Sequence, residues 1–326
     1  MPAPDADARS PRIAVTLGDP RGIGPEIAVH ALLEPEPFDA ETLLIGPEGL
    51  TAEGHTFISV GYWREGLDAS DAGRLSVLSI ERAVSLAMEG AVDAIVTAPI
   101  SKSALAAAGY AWPGHTEMLR DLTGVPETAL CLAAEETPLG APLRVVLVTG
   151  HIALRDVAQA YTSELLYRKA RLANDGLRRL WCIDEPRLAV CAFNPHASDD
   201  GIFGDEEERV CRPTIKRLRS EGVMVDGPFP ADTVFVQAMR GAADAVLAPY
   251  HDVGMTAIKT AAFGRAVNVT LGLPFPRTSP DHGTAFDIAG TGCADASSMR
   301  AALEAAKMFA LRSLTAKTNP NRLASG

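Results

Sequence analysis

Short apolar, β-branched runs alternate along the chain with longer stretches in which apolar residues recur three and four positions apart. The runs at 13–17, 42–45, 75–78, 94–97, 143–149, 188–193, 245–248 and 266–271 predict strands; 81–88, 163–181, 206–220 and 297–312 predict helices. Within 163–181, Leu165, Leu166, Ala170, Leu172, Ala173, Leu177 and Leu180 form the apolar stripe, leaving Arg168, Lys169, Arg171, Arg178 and Arg179 as a solvated basic face. Alternation of the two periods predicts an α/β chain. No repeat or low-complexity tract interrupts it, and 319–326 reads as a frayed tail.

Three of the runs lead into a histidine: LRVVLVTGH at His151, RLAVCAFNPH at His196 and ADAVLAPYH at His251. Parallel strands deliver side chains to a shared edge at their carboxyl ends, so three strands can place three imidazoles around one divalent metal. A single histidine after a strand is more often a capping or hydrogen-bonding residue, and the spacings match no short zinc motif. Repetition at equivalent positions is what points to an enzyme's metal site. The glycines after the first strand, in Gly18-Asp19-Pro20-Arg21-Gly22-Ile23-Gly24-Pro25-Glu26, have the wrong spacing for a Rossmann fingerprint. Gly22 and Gly24 permit a tight turn and Pro25 suits the start of a helix, so the segment reads as a loop feeding a helix N-terminus. The later Gly290-Thr291-Gly292 follows no good strand.

At 326 residues the chain has room for two domains and a large core. Its 47% hydrophobic and 22% charged residues are ordinary for a globular protein, and no apolar run is long enough to span a bilayer. The polar stretch 1–12 lacks the apolar core of a signal peptide and reads as a short disordered lead, so a cytoplasmic location is expected. Cys131, Cys182, Cys191, Cys211 and Cys293 are odd in number and scattered, which argues for small core residues rather than disulfides or metal ligands. A net charge of −11 disfavours nucleic acid and anionic membrane as partners, so an anionic substrate would need a local basic pocket.

In order along 12–312, VTLGDPRGIGPEI (15–27), TAPISKSAL (97–105), GHTEML (114–119), VTGHIALRD (148–156), NPHASDDGIFGDEE (194–207), YHDVGMTAIK (250–259) and VNVTLGLPFPRTSPDHGTAFDIAG (267–290) resemble the 4-hydroxythreonine-4-phosphate dehydrogenase family of vitamin B6 (pyridoxine) biosynthesis. The resemblance implies a two-domain α/β fold similar to the isocitrate and isopropylmalate dehydrogenases, which bind their dinucleotide without a Rossmann fingerprint. One domain is expected over 1–125 plus 272–326 with the cofactor loop. The other is expected over 126–271, with the metal histidines and the dimer interface. The family's metal ligands fall on His151, His196 and His251, and its substrate contacts on His115, Thr116, Lys259, Asn268 and Arg277. A homodimer is implied, with its active site at the subunit interface and metal ligands from both chains. Residues 281–290 look like the adenosine-binding loop of isopropylmalate dehydrogenases, which makes His282, Gly283, Thr284 and Asp287 the implied cofactor contacts. A carboxylate at Asp287 near the ribose repels a 2′-phosphate, so NAD is expected over NADP; a helix N-cap is its alternative role.

The residue chemistry bears on these assignments independently. Lys259 and Arg277 are cations near polar or glycine-rich turns, as phosphate recognition favours, with surface ion pairs as the alternative. Asn268 interrupts an apolar strand, where a buried amide needs a partner, whether substrate or turn carbonyl. Asp252 and Asp232 are candidates for orienting the metal histidines, and Lys259 is also a candidate acid or base. Where the family usually has glycine and glutamate after NPHA, this chain has Ser198, Asp199 and Asp200, and Val253 replaces a usual glutamine.

The expected function is metal-dependent, NAD-linked oxidation of a small phosphorylated hydroxy acid, 4-phosphohydroxy-L-threonine first, with decarboxylation to 3-amino-2-oxopropyl phosphate. The alternatives are a 4-phospho-D-threonate or erythronate dehydrogenase and, from another reaction class, a phosphate acyltransferase-like enzyme. The retained GHTE and LGLPFPRTS motifs favour a phosphorylated substrate over the aromatic dihydrodiols that some relatives oxidise. An all-imidazole site suits zinc, cobalt, nickel or iron, and positions open to water and substrate could admit magnesium or manganese; zinc is expected first, with magnesium or cobalt next.

Overall fold

A computed structural model of the chain describes residues 9–318 apart from 34, 35, 37, 51–53 and 65; the tail at 319–326 and residues 1–8 of the lead lie outside the described residues. The chain divides into two compact units, Met1–Pro126 with Leu273–Gly326, and Glu127–Gly272. The first unit contains β1 (Arg12–Thr16), α1 (Gly24–Leu33), β2 (Glu41–Glu48), β3 (Thr56–Tyr62), α2 (Ala69–Met88), β4 (Ala94–Thr97), α3 (Lys102–Ala107) and α4 (His115–Thr123). The second contains β5 (Ala129–Ala134), β6 (Leu143–Leu147), α5 (Leu154–Ala160), α6 (Ser163–Trp181), β7 (Leu188–Cys191), α7 (Arg212–Ser220), β8 (Val225–Phe229), α8 (Ala231–Met239), β9 (Ala245–Ala248), α9 (His251–Ala262) and β10 (Val267–Leu271). The chain then returns to the first unit for β11 (Arg277–Ser279) and α10 (Ser297–Thr318).

In the first unit the strands run β3-β2-β1-β4-β11, and each neighbouring pair is parallel. Parallel strands buried on both faces explain the nearly unbroken apolar runs, as in β1 and β4, where Ile13, Ala14, Val15, Ile95 and Val96 are all fully buried. Ile45, Val77, Ile80, Leu105, Met118 and Phe275 pack into the same core.

The second unit orders its strands β10-β5-β6-β9-β7-β8, with antiparallel pairs at β10–β5 and β5–β6 and parallel pairs from β6 onward. Leu132, Leu143, Val145, Val246 and Ile258 are at its centre. Among the described residues no helix is long and apolar enough to cross a membrane.

Two local expectations are corrected. Residues 75–78 are not a strand but part of α2, which Asp68 starts by accepting hydrogen bonds from the amides of Ser70 and Asp71 in a reciprocal capping box. A four-residue apolar run does not distinguish strand from buried helix, and the cap decides it. The lead is ordered from Arg9, whose guanidinium binds the Asp93 carboxylate at 2.7 and 2.8 Å, and Arg12 already belongs to β1.

Candidate functional site

The parallel strands β6, β9 and β7 are consecutive, so the loops that follow them leave one edge of the second unit. His151 lies in the loop after β6, and His251 is the first residue of α9 after β9. Their ring centroids are 5.0 Å apart and tilted by 47°. Asp252 Oδ1 lies 2.7 Å from His251 Nδ1. An ionised carboxylate only accepts, so Nδ1 donates and the Nε2 lone pair is left for a cation. Gly150, Ile152, Leu154, Val157 and Tyr250 complete a hollow of about 310 Å³ around the pair. This donor chemistry fits a divalent metal. Among the described residues no group of three or more His, Cys, Asp or Glu side chains is close enough to hold a metal, so one chain brings together two of the imidazoles and not the third.

His196 is carried on a turn of its own after β7, with its ring 6.4 Å from that of Phe203. His196, Ala197, Ser198, Asp199, Asp200 and Gly201 all have positive φ, between 45° and 92°. A left-handed run costs each non-glycine residue roughly 1–2 kcal/mol, so hydrogen bonds must hold it. Buried Ser198 closes the run, its Oγ and carbonyl accepting from the Gly201 amide at 3.2 and 3.0 Å. At the entry, fully buried Glu207 accepts from the amides of Phe193 and Asn194, both at 2.8 Å, and from the Asn194 side chain at 2.9 Å. Gly204 suits that place, because its φ of 137° is a conformation L side chains rarely adopt, and an added Cβ would also lie 2.6 Å from Asn194 Nδ2.

In the first unit, His115 is the first residue of α4 and Thr116 the next, both half-buried. The His115 Nε2 atom is itself buried and has no hydrogen-bond partner among the described residues. Burial first, and the positive charge of Arg277 second, pull the His115 pKa well below the usual imidazole value, so the ring is neutral at pH 7. Arg277 opens β11, is 2% exposed, and donates to the Thr97 hydroxyl. Burial lowers its pKa to about 9, which leaves the guanidinium charged at neutral pH. A buried guanidinium lies close to a neutral imidazole, and the imidazole can donate from Nε2 in the tautomer that protonates that nitrogen.

The first unit also holds the loop 281–296. The Ile23 amide donates to the Thr284 carbonyl at 2.9 Å and Glu26 accepts from the Gly290 amide at 3.1 Å. A Cβ on Gly22 would meet the Thr284 oxygen at 2.7 Å. Arg21 stacks 5.1 Å from the Phe286 ring while its guanidinium grips fully buried Asp19 at 2.7 and 3.0 Å. The glycine segment after β1 is therefore the backing of this loop as well as the entry to α1. His282 and Thr284 are half-buried there, with His282 Nδ1 3.1 Å from the Gly283 carbonyl. Gly283 and Asp287 are exposed, and the Asp287 carboxylate caps no helix.

The remaining predicted residues are more dispersed. Lys259 is half-buried on α9, two turns beyond His251. Asn268 pairs across the sheet with Leu132 but is only half-buried, so desolvation presses on its amide less than an apolar strand suggests. Asp232 is exposed in the first turn of α8, whereas Asp252 is bonded to His251. Sequence reasoning missed Asn194, Glu207 and the Asp19–Arg21 pair. The run of Asn, Asp and Gly around His196 was a signal for left-handed backbone. Nothing local marked Glu207, which lies inside a predicted helix.

A family model described as "Pyridoxal phosphate biosynthetic protein PdxA" matches residues 34–306. The chain is 44% identical over 322 residues to the 4-hydroxythreonine-4-phosphate dehydrogenase of Paracoccus denitrificans (strain Pd 1222), covering 92% of this chain and 98% of that one. Among solved structures, the 4-hydroxythreonine-4-phosphate dehydrogenase of Klebsiella pneumoniae is similar with a TM-score of 0.83 at 40% identity, covering 94% and 99% of the two chains. The enzyme of that name from Burkholderia phymatum has a TM-score of 0.76 at 38% identity, covering 92% and 98%.

Proposed function

The chain belongs to the PdxA family of pyridoxal phosphate biosynthetic proteins, and from that premise we propose that it oxidises 4-phosphohydroxy-L-threonine with NAD and releases 3-amino-2-oxopropyl phosphate and carbon dioxide. The observation that carries the phosphorylated substrate is Arg277, a guanidinium 2% exposed beside the open Nε2 of neutral His115. A guanidinium offers a phosphate short charge-assisted bonds from a planar donor fork. Thr116 and Asn268 contribute polar groups to the substrate, and Lys259 either a phosphate contact or the proton relay.

His151 and His251, with His196, are the residues that would hold a divalent metal, zinc first. Asp252 keeps His251 in the tautomer that presents Nε2. When bound, such a cation makes the reacting hydroxyl more acidic and draws electrons during decarboxylation, while NAD accepts the hydride. The balance is two-stage. The C–H bond of the secondary alcohol breaks with its electron pair leaving as hydride, and the hydroxyl proton passes to a base, for which Lys259 Nζ is the candidate. The β-keto acid then loses its carboxylate as carbon dioxide, and the electron pair left on carbon is protonated.

The exposed carboxylate of Asp287 in the 281–296 loop supports NAD over NADP, with His282, Gly283 and Thr284 as its neighbours toward the adenosine. An isocitrate dehydrogenase-like arrangement, a cytoplasmic homodimer and shared metal ligands complete the reading. The third imidazole that one chain does not bring to the pair is what a second copy supplies. The test is stoichiometry: purified protein with metal, NAD and 4-phosphohydroxy-L-threonine forms NADH and carbon dioxide one for one. Turnover of acyl phosphate and coenzyme A without NADH formation would overturn it in favour of the acyltransferase class, and preference for 4-phospho-D-threonate or erythronate would move the substrate within the family.

A further inference from the structure

Six consecutive left-handed residues, starting at His196, are held at their entry by one side chain from well down the chain. Glu207 is fully buried, and both its oxygens are committed: Oε1 to the amides of Phe193 and Asn194, Oε2 to Asn194 Nδ2. The same Asn194 nitrogen reaches Glu206 Oε2 at 2.7 Å. The two glutamates begin the helical turn that leads into α7, a rigid element, so the loop's entry is referenced to a helix and not to solvent. A left-handed run is intrinsically disfavoured, and without a fixed entry it relaxes to other backbone states that point His196 elsewhere.

We propose that Glu207, acting through Asn194, is the positioning residue that sets where His196 presents its imidazole. The inference rests on the reading of His196 as a metal ligand, and it adds that the third imidazole is placed by a buried carboxylate–amide clamp where His251 is oriented by an exposed carboxylate. Glu207→Gln keeps size and can still accept from the two amides, but its new –NH₂ meets Asn194 Nδ2 donor to donor. Inverting the whole set, Asn194→Asp with Glu206→Gln and Glu207→Gln, runs each side-chain contact the other way between the same atoms.

The test is cobalt(II) titration of the full-length metal-free chain, read by visible absorption, together with hydrogen exchange of the amides at 196–201. Glu207→Gln is expected to weaken cobalt binding about tenfold to a hundredfold, the range for groups that orient a ligand, and to speed exchange in the turn. The inverted set is expected to recover both to within about threefold of the parent, which a merely structural loss would not allow. Parent-like cobalt affinity in Glu207→Gln, while His196→Ala loses it, overturns the positioning role alone; so does an inverted set no better than the single variant. Unchanged affinity in His196→Ala overturns the metal reading of His196 and the inference with it.

Discussion

The two units present their candidate chemistry in opposite ways. In the first, Arg277 and the His115 Nε2 atom are taken out of water, and burial itself tunes them: the guanidinium pKa falls to about 9 and the imidazole stays neutral. In the second, His151 and His196 are exposed and His251 half-buried, on loops at the ends of neighbouring parallel strands, and their placement comes from hydrogen bonds such as Asp252 to His251 and Glu207 to the entry of the His196 turn. A group that recognises a fixed dianion gains from desolvation, because each bond strengthens as water leaves. Ligands that must accept a cation from solution gain from exposure, and need orientation instead.

The largest expected effect is on the exposed side. His251→Ala removes a coordinating nitrogen and creates no large cavity, so turnover should vanish and metal content fall while thermal unfolding shifts little. Circular dichroism, metal analysis and NADH formation together decide it; a variant with normal metal and activity breaks the comparison.

On the buried side, Arg277→Ala should lose roughly tenfold to a hundredfold in kcat/KM on the phosphorylated substrate, the equivalent of one charge-assisted contact of about 1.5–3 kcal/mol. Arg277→Lys should fall between, keeping charge and losing the fork. An equal loss on the dephosphorylated analogue would show that the guanidinium grips something other than phosphate.

A smaller effect tests the loop backing. Gly22→Ala places a Cβ 2.7 Å from the Thr284 oxygen, so the 281–296 loop must shift. KM for NAD should rise several-fold while metal affinity is unchanged; a parallel loss of metal would join what the comparison separates.

The smallest concerns acid. His115 has a folded-state pKa well below its unfolded value, so the folded chain binds fewer protons and stability is lost as pH falls below about 6.5, where the unfolded imidazole begins to charge. His115→Gln should therefore lose less stability than the parent between about pH 7.5 and 5.5 in urea unfolding. Identical losses would mean that His115 is not held neutral by burial.

Legibility in the sequence followed the same division. Apolar runs located β1, β4, β9 and β10, and the periodicity of 163–181 matches α6 residue for residue, because a buried strand and a one-faced helix each write their own period. β3, β5, β8 and β11 were not legible: β5 is alanine-rich, β8 contains Gly-Pro, and β11 has three residues. The histidines were legible as strand-end residues, and their adjacent, parallel strands account for why His151 meets His251. The carboxylate of Glu207 was not, since its partners are backbone amides at 193 and 194 that no side-chain pattern encodes.

The central claim is the proposed activity, metal-dependent oxidation of a phosphorylated substrate. Its most direct measurement is the initial rate of NADH formation from 4-phosphohydroxy-L-threonine and its dephosphorylated form, each with metal and with chelator. The account predicts that chelator abolishes NADH formation from both and that loss of the phosphate lowers kcat/KM by at least about tenfold with metal present. A rate that survives chelation, or that is the same with and without the phosphate, would contradict it.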